Sequence, residues 1–329
     1  MGRAGVRTAG STRRTQTTCG PVAGSRQPPL DTWAPERGPL QVAWSRFRRD
    51  RAALYGVSVL LAIIALALGA PLTTATRHVL NQANLDLGID ANGIPTAPGR
   101  NGYVLGADQL GRDVLVQAAY AARTSLLVGI LSTALALVIA VTLSLIAGYF
   151  GGWRDHVISR VTDFMASFPV MVFAIAMSVV LGSTLPLLVT VIAAFSWFYP
   201  ARLLRARVLE VRAREFIDAA EACGCSTPRI LQRHILPHLY PFVLAYGTLL
   251  VGITISFEAA LSFLGFGLPA DYPSWGRMIG DAVVAGRFQA APWMMLVPGS
   301  LLTLTLLSLS FVGDGVSQAI DPHAARSFD

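Results

Sequence analysis

Apolar residues run along this chain in long uninterrupted stretches, and short segments between them hold nearly all of the charge. Six stretches, at about 52–72, 124–149, 157–182, 184–204, 239–263 and 291–313, are long enough for a helix to cross a hydrocarbon layer of about 30 Å. The pattern predicts an all-α membrane protein with six transmembrane helices. The segment Arg214 to Pro237, between the fourth and fifth stretches, reads differently. In its first half Phe216, Ala219, Ala220 and Cys223 share one face at helical spacing, while Glu215, Asp218 and Glu221 turn away. Side chains on that face are mostly small, which leaves room for the backbone of another protein. Gly224 then tolerates positive φ, and Thr227-Pro228 reads as an N-cap and first helical position. The segment is thus predicted to be a helix, turn and helix held at the membrane surface.

Charge gives the spans a direction. All 26 basic residues are arginine, and the formal net charge is +7. With both termini in the cytoplasm, ten arginines fall in the N-terminal tail, two in or beside the turn between spans two and three, seven in or beside the segment between spans four and five, and one at the C-terminus. The two larger outside loops then hold Arg77, Arg100, Arg112, Arg123, Arg277 and Arg287. The excess on one side places Arg214 to Pro237 in the cytoplasm. Residues 1 to about 40 have almost no large aliphatic side chains, so they are expected to be a disordered basic tail. Trp44, Phe47 and the arginines at 46, 48, 49 and 51 suit the inner lipid surface, where each arginine gains about 1 kcal/mol from anionic headgroups. That placement argues against a nucleic-acid partner and for membrane lipid. The domains expected are therefore a tail over 1–50, a transmembrane unit over 51–323 and a cytoplasmic tail over 324–329.

Composition excludes several function classes. A chain that is 53% hydrophobic and 14% charged, with mean hydropathy +0.54, is not a soluble domain. It has no lysine, and a phosphate-binding P-loop needs one, so any ATP site must lie on a partner. Cysteines at 19, 223 and 225 make no disulfide framework, and Cys223 and Cys225 lack nearby ligands at metal-binding spacing. The five histidines are scattered and no GxSxG or HExxH motif occurs, which leaves no catalytic residues to name.

Polar and helix-breaking residues within the spans are the candidates for a translocation path. Pro169, Pro186 and Pro200 interrupt the helical ladder at or near membrane depth, either to line a path or to kink helices for packing. Asp163 and Glu258 are acids within spans, where a mid-bilayer charge costs about 2.5 to 3.5 kcal/mol. Each lies near a span end, so a buried structural role competes with a path role. Asp108, Arg112 and Asp113, in a glycine-punctuated segment before the second span, suggest an ordered hydrogen-bonded loop. Broken spans with intramembrane acids would also suit a proton-coupled secondary transporter, but such a protein has no need of an amphipathic cytoplasmic helix at 215–223.

Several of these blocks carry a resemblance. Asp218-Ala219-Ala220, three residues, Gly224 and then Ile235-Leu236-Pro237 resembles the EAA loop of the membrane subunits of bacterial ABC importers. Asp218 stands where the general pattern has Glu, and His234 where it has an apolar residue. The blocks Leu105 to Val114, Tyr120 to Leu126, Gly148 to Asp155, Phe168-Pro169, Glu258 to Gly267, Pro273 to Gly276, Gly313 to Gly315 and Ala319 to Pro322 are similar to the second permease subunit of dipeptide and oligopeptide importers, the DppC/OppC type. Together the resemblance covers about 41–72 and 105–322. It implies a type I ABC importer permease fold in the bacterial plasma membrane, with residues 215–224 as a coupling helix in a groove of a separate ATPase. It also implies a homologous second permease, an extracytoplasmic binding protein and no cofactor on this chain, with ATP and Mg on the ATPase. Di- or oligopeptides are the implied cargo, and glutathione or nickel chelates the alternatives within the same branch.

Overall fold

The computed structural model describes residues 44–72, 83–269, 271–286 and 289–320. The chain divides into Met1–Gly38, outside the described residues, and Pro39–Asp329, which holds every element below. The tail expected to be disordered thus lies outside the described residues as far as residue 43, as do Arg77, Arg287 and the C-terminal tail 324–329.

The first span is α1, Arg51–Leu68, started by Asp50, whose carboxylate accepts the Ala52 and Ala53 N–H groups at 2.9 and 3.3 Å. A single turn, α2 (Leu85–Gly88), leads towards α3, Val114–Phe150. At 37 residues α3 is about 55 Å long, well beyond the hydrocarbon thickness. It starts earlier than the hydropathy pattern predicts because the buried Asp113 side chain caps it, accepting the Leu115 N–H at 2.8 Å. It ends at Gly151 and Gly152, with φ of +61° and +59°, where a Cβ would be strained.

The third and fourth spans are each broken. Helices α4 (Gly152–Ser167) and α5 (Val170–Leu181) meet at 86°, and α6 (Leu185–Ala194) and α7 (Phe198–Arg212) at 48°. All three prolines expected to interrupt the helical ladder stand at or just past a break. Pro169 is the N-cap of α5. Pro186 is in the first turn of α6 and Pro200 in the first turn of α7, and the residues four back whose carbonyls they cannot bond, Gly182 and Ser196, lie in the interruptions that precede those helices.

After α8 (Glu215–Ala222) and α9 (Thr227–Ile230), a π turn at Leu231–Ile235 passes directly into α10, Leu236–Phe263. The wider turn falls just before Pro237, which brings no N–H to the ladder. The last helices are α11 (Trp275–Val284) and α12 (Trp293–Ile320). Pro241 and Pro298 lie inside α10 and α12. Among the described residues four continuous helical stretches are long and apolar enough to cross a membrane, and the number is six when each of the two bent pairs is taken as one span.

Helix α3 is the centre of the bundle. It packs on α7 and α10, while α1 lies against α12 and α12 against α10. Contacts are close where glycine allows it: a Cβ on Gly276 of α11 would stand 2.1 Å from the Ala259 carbonyl oxygen of α10. Polar pairs fix the register. Glu258 is fully buried, with Ser125 of α3 donating to its Oε2 at 3.0 Å and Ser262 to its Oε1 at 2.6 Å. Two turns away the hydroxyls of Thr133 and Thr254 meet at 3.0 Å. Most other span hydroxyls bond back to their own helix, as Thr190 does to Pro186 O at 2.8 Å and Ser196 to Ile192 O at 2.7 Å.

Glu258→Leu removes the shared acceptor of Ser125 and Ser262 at a dry site. It is expected to destabilise the purified protein by about 2 to 4 kcal/mol. A thermal-denaturation midpoint equal to that of the wild type would show that this cluster does not hold α3 to α10.

Candidate functional site

The polar segment after α7 carries a short amphipathic helix that packs by one face against α7, the π turn and the start of α10. Arg214 is extended, with φ −86° and ψ 141°, and the chain turns there into α8. Glu215 and Asp218 lie in the first turn, where the partial positive charge of the helix end favours acids. Ile217 points into the bundle with 1% of its surface exposed. It packs in an apolar cluster with Leu204, Val208 and Val211 of α7, Ile230, Ile235 and Leu239. That residue was not among those predicted for the site. Being the one large aliphatic side chain in α8, it carried a signal that the small-faced pattern beside it obscured.

Burying Ile217 turns the opposite side outward. Phe216, at 37% exposure, Asp218, Ala219 and Cys223 are exposed, as is Glu215. Ala220 leans inward, half-buried against the apolar cluster, so the bare face is narrower than the spacing predicts. The Phe216 ring is steadied from the side by His238 and His234, with ring centroids 5.6 and 6.5 Å away. Gly224 has φ +75°, and a Cβ there would meet nothing within 4 Å, so the requirement is conformational and not steric. Around it the Cys223, Gly224 and Cys225 N–H groups close back on the carbonyls of Ala219, Glu221 and Ala220 at 3.0, 2.9 and 3.1 Å. The second arm starts one residue earlier than predicted: Ser226 is the N-cap, Thr227 the first helical residue and Pro228 the second. Both cysteines are free, Cys223 exposed and Cys225 half-buried. Among the described residues no group of three or more His, Cys, Asp or Glu is placed to hold a metal ion.

At the foot of α3, Tyr149 reaches this device. Its hydroxyl donates to Glu221 Oε1 at 2.9 Å, and the Arg212 guanidinium lies 5.4 Å from the ring centroid. Tyr149 reads from sequence only as an interfacial aromatic, because nothing in the spacing ties it to a residue 72 positions away.

The acids expected in a path part company. Glu258 is enclosed by serines between helices. Asp163, 58% exposed, pairs with Arg202 of α7 at 2.8 Å. Asp155 pairs with Arg205, whose Nη2 donates to its Oδ2 at 2.6 Å, so two ion pairs tie α4 to α7. A polar cleft of about 230 Å³ between α3, α4 and α7 is lined by Ser144, Thr162, Asp163 and Arg202 among others.

The opposite end of the bundle is capped by the segment before α3. Asp108 accepts the Leu110 and Arg112 N–H groups at 2.9 and 2.8 Å and the Arg112 Nε–H at 2.8 Å. Tyr103, fully buried, donates to Gly111 O at 2.7 Å. Burial pushes its phenol above the ordinary range, and Asp113 and Asp108 add to the shift. These bonds make an ordered loop, as the residue pattern predicts. With α11 it encloses a cleft of about 250 Å³ that includes Arg112, Gln117 and Asp281. Burial raises the Asp281 carboxyl above its usual value, against the opposing pull of Arg277 and Arg112.

Comparison with known proteins agrees with this architecture. Residues 140–326 match the model of the family described as binding-protein-dependent transport system inner membrane component. Residues 38–86 match the N-terminal TM domain of oligopeptide transport permease C. The chain is 36% identical to the dipeptide transport system permease protein DppC of Alkalihalophilus pseudofirmus, over 90% of this chain and 93% of that one. It is 35% identical to the oligopeptide transport system permease protein OppC of Haemophilus influenzae, over 86% and 88% of the two chains. Against OppC of Escherichia coli (strain K12) identity is 36%, over 86% and 90%. A multi-helical membrane bundle that matches along most of its length in this way belongs to the family of inner membrane permease components of binding-protein-dependent ABC transport systems.

Proposed function

We propose that this chain is the non-catalytic permease subunit of an importer for di- or oligopeptides, driven by ATP hydrolysis on separate subunits and coupled to them through α8. The observation that carries the reading is the two-sided character of α8. Ile217 locks it to the bundle, and Phe216, Ala219 and Cys223 are left exposed on a face narrow enough to enter a groove. In this reading Glu215 and Asp218 meet a basic rim on the ATPase, and Gly224 sets the turn. A homologous permease completes the path, and a binding protein delivers cargo to the end formed by the loop before α3 and by α11. Closure of the ATPases would move α8 with the helix ends beneath it and tilt the bundle from inward-open to outward-open. Peptide as the cargo rests on the relatives, named for dipeptide and oligopeptide transport. Competition binding to the partner binding protein would separate peptides from glutathione or nickel chelates.

The orientation proposed has both termini and α8 in the cytoplasm. A membrane-impermeant maleimide should label the exposed Cys223 in inverted vesicles and leave it unlabelled in right-side-out cells. The reverse pattern would refute the topology. In the reconstituted complex Ala219→Arg should leave the subunit in the membrane but cut binding-protein-stimulated ATP hydrolysis by about tenfold or more, a loss of about 1.4 kcal/mol or greater. Gly224→Val forces a β-branched residue to positive φ at a cost of about 1 to 2 kcal/mol, and should show a similar loss. Charge reversal at Asp218 should be milder than either. Wild-type stimulation in both of the first two variants would remove α8 from the coupling path, and peptide uptake by this chain alone would replace the reading with secondary transport.

A further inference from the structure

The geometry points to a positioning residue that the exposed face does not include: Tyr149, whose hydroxyl pins the last turn of α8, just before the Gly224 turn, to the end of α3. This inference rests on the coupling role proposed for α8. Tyr149 is the penultimate residue of α3 and is 8% exposed. Its O–H donates to Glu221 Oε1 at 2.9 Å. Glu221 lies in the last turn of α8, directly before the Gly224 turn. One hydrogen bond therefore ties the end of α8 to the end of a membrane-spanning helix.

The other attachment of α8 is of a different kind. Ile217 is held by apolar contact, which is non-directional and lets a short helix roll or slide over the surface that it covers. A hydrogen bond has a direction, and here it is buried enough to keep one. The end of α3 cannot absorb a push by moving closer to α7, because the two are already in contact at Gly148, where a Cβ would stand 2.6 Å from Val208. Higher up, α3 is fixed to α10 by Ser125 with Glu258 and by Thr133 with Thr254. Displacement of α8 is thus delivered along α3 towards Asp113 and the loop at the opposite end.

The test uses the complete transporter in nanodiscs with its ATPases and liganded binding protein. Tyr149→Phe should keep basal ATP hydrolysis within about twofold, and the half-saturating binding-protein concentration unchanged. Its maximal stimulation should fall about fivefold, the size of effect that one directional hydrogen bond produces. Glu221→Gln keeps a carbonyl acceptor and should stay near wild type, while Glu221→Ala should match Tyr149→Phe. The double variant Tyr149→Phe with Glu221→Ala should be no worse than either single one. Full stimulation of Tyr149→Phe, or losses that multiply in the double variant, would overturn the inference. If Tyr149→Phe does not assemble, Glu221→Ala decides by the same criteria. Ala219→Arg serves as the control: uncoupling there with normal Tyr149→Phe removes only the strut, whereas normal stimulation in Ala219→Arg removes the coupling reading itself.

Discussion

Ile217 beneath α8 is the contact on which the account depends. A helix of eight residues is too short to be stable alone in water, so tertiary packing must hold it. Here the packing is one isoleucine in a pocket formed by α7, the π turn and the start of α10. Because the side chains of an eight-residue helix point in fixed directions, seating that one decides where the others go. Phe216, Ala219 and Cys223 face out because Ile217 faces in. An apolar surface at this place would be a liability in an isolated protein. Its retention in a chain of this family makes sense if a partner covers it.

The long helices behave as the frame for that device. Glu258 is a costly residue to bury in a membrane, and serines on two helices satisfy it where a path would leave it open to water. The cluster turns α3 and α10 into one body at the end away from α8. Helices α4 and α5, bent by 86° at Phe168-Pro169, are not fixed in that way. Ala174 of α5 packs in an apolar cluster with Val128 of α3 and Leu261 of α10, and two ion pairs join α4 to α7, Asp155 with Arg205 and Asp163 with Arg202. The structure thus joins a stiff part to a jointed part, and α7, which runs directly into α8, touches both.

Much of this was legible in the chain. Spans are legible because a bilayer demands about 20 apolar residues in succession, and no tertiary contact can relax that. The turn at Gly224 is legible because positive φ excludes most side chains. The ordered loop at Asp108, Arg112 and Asp113 is legible because Asp and Gly have strong local preferences. The prolines are legible as interruptions because each stands at or just after a break, with Pro186 and Pro200 in the first turn of the helix that resumes. Ile217, the large aliphatic side chain of α8, was missed because the small residues beside it dominate the pattern. Tyr149 was missed because it acts through a residue distant in sequence, and a single sequence carries no signal for such a pairing. The early start of α3 at Asp113 needed the same kind of information, since hydropathy registers the apolar stretch and not the capped polar turn before it.

The central claim is that the exposed side of α8 meets an ATPase subunit and not its own bundle. The most direct measurement places a photo-reactive amino acid at Ala219 in the assembled transporter and identifies the cross-linked product by mass spectrometry. The account predicts an adduct with the ATPase, formed at residues lining a surface groove and changed in yield by ATP. An adduct confined to this chain, or formed only with material outside the membrane's cytoplasmic face, would contradict it.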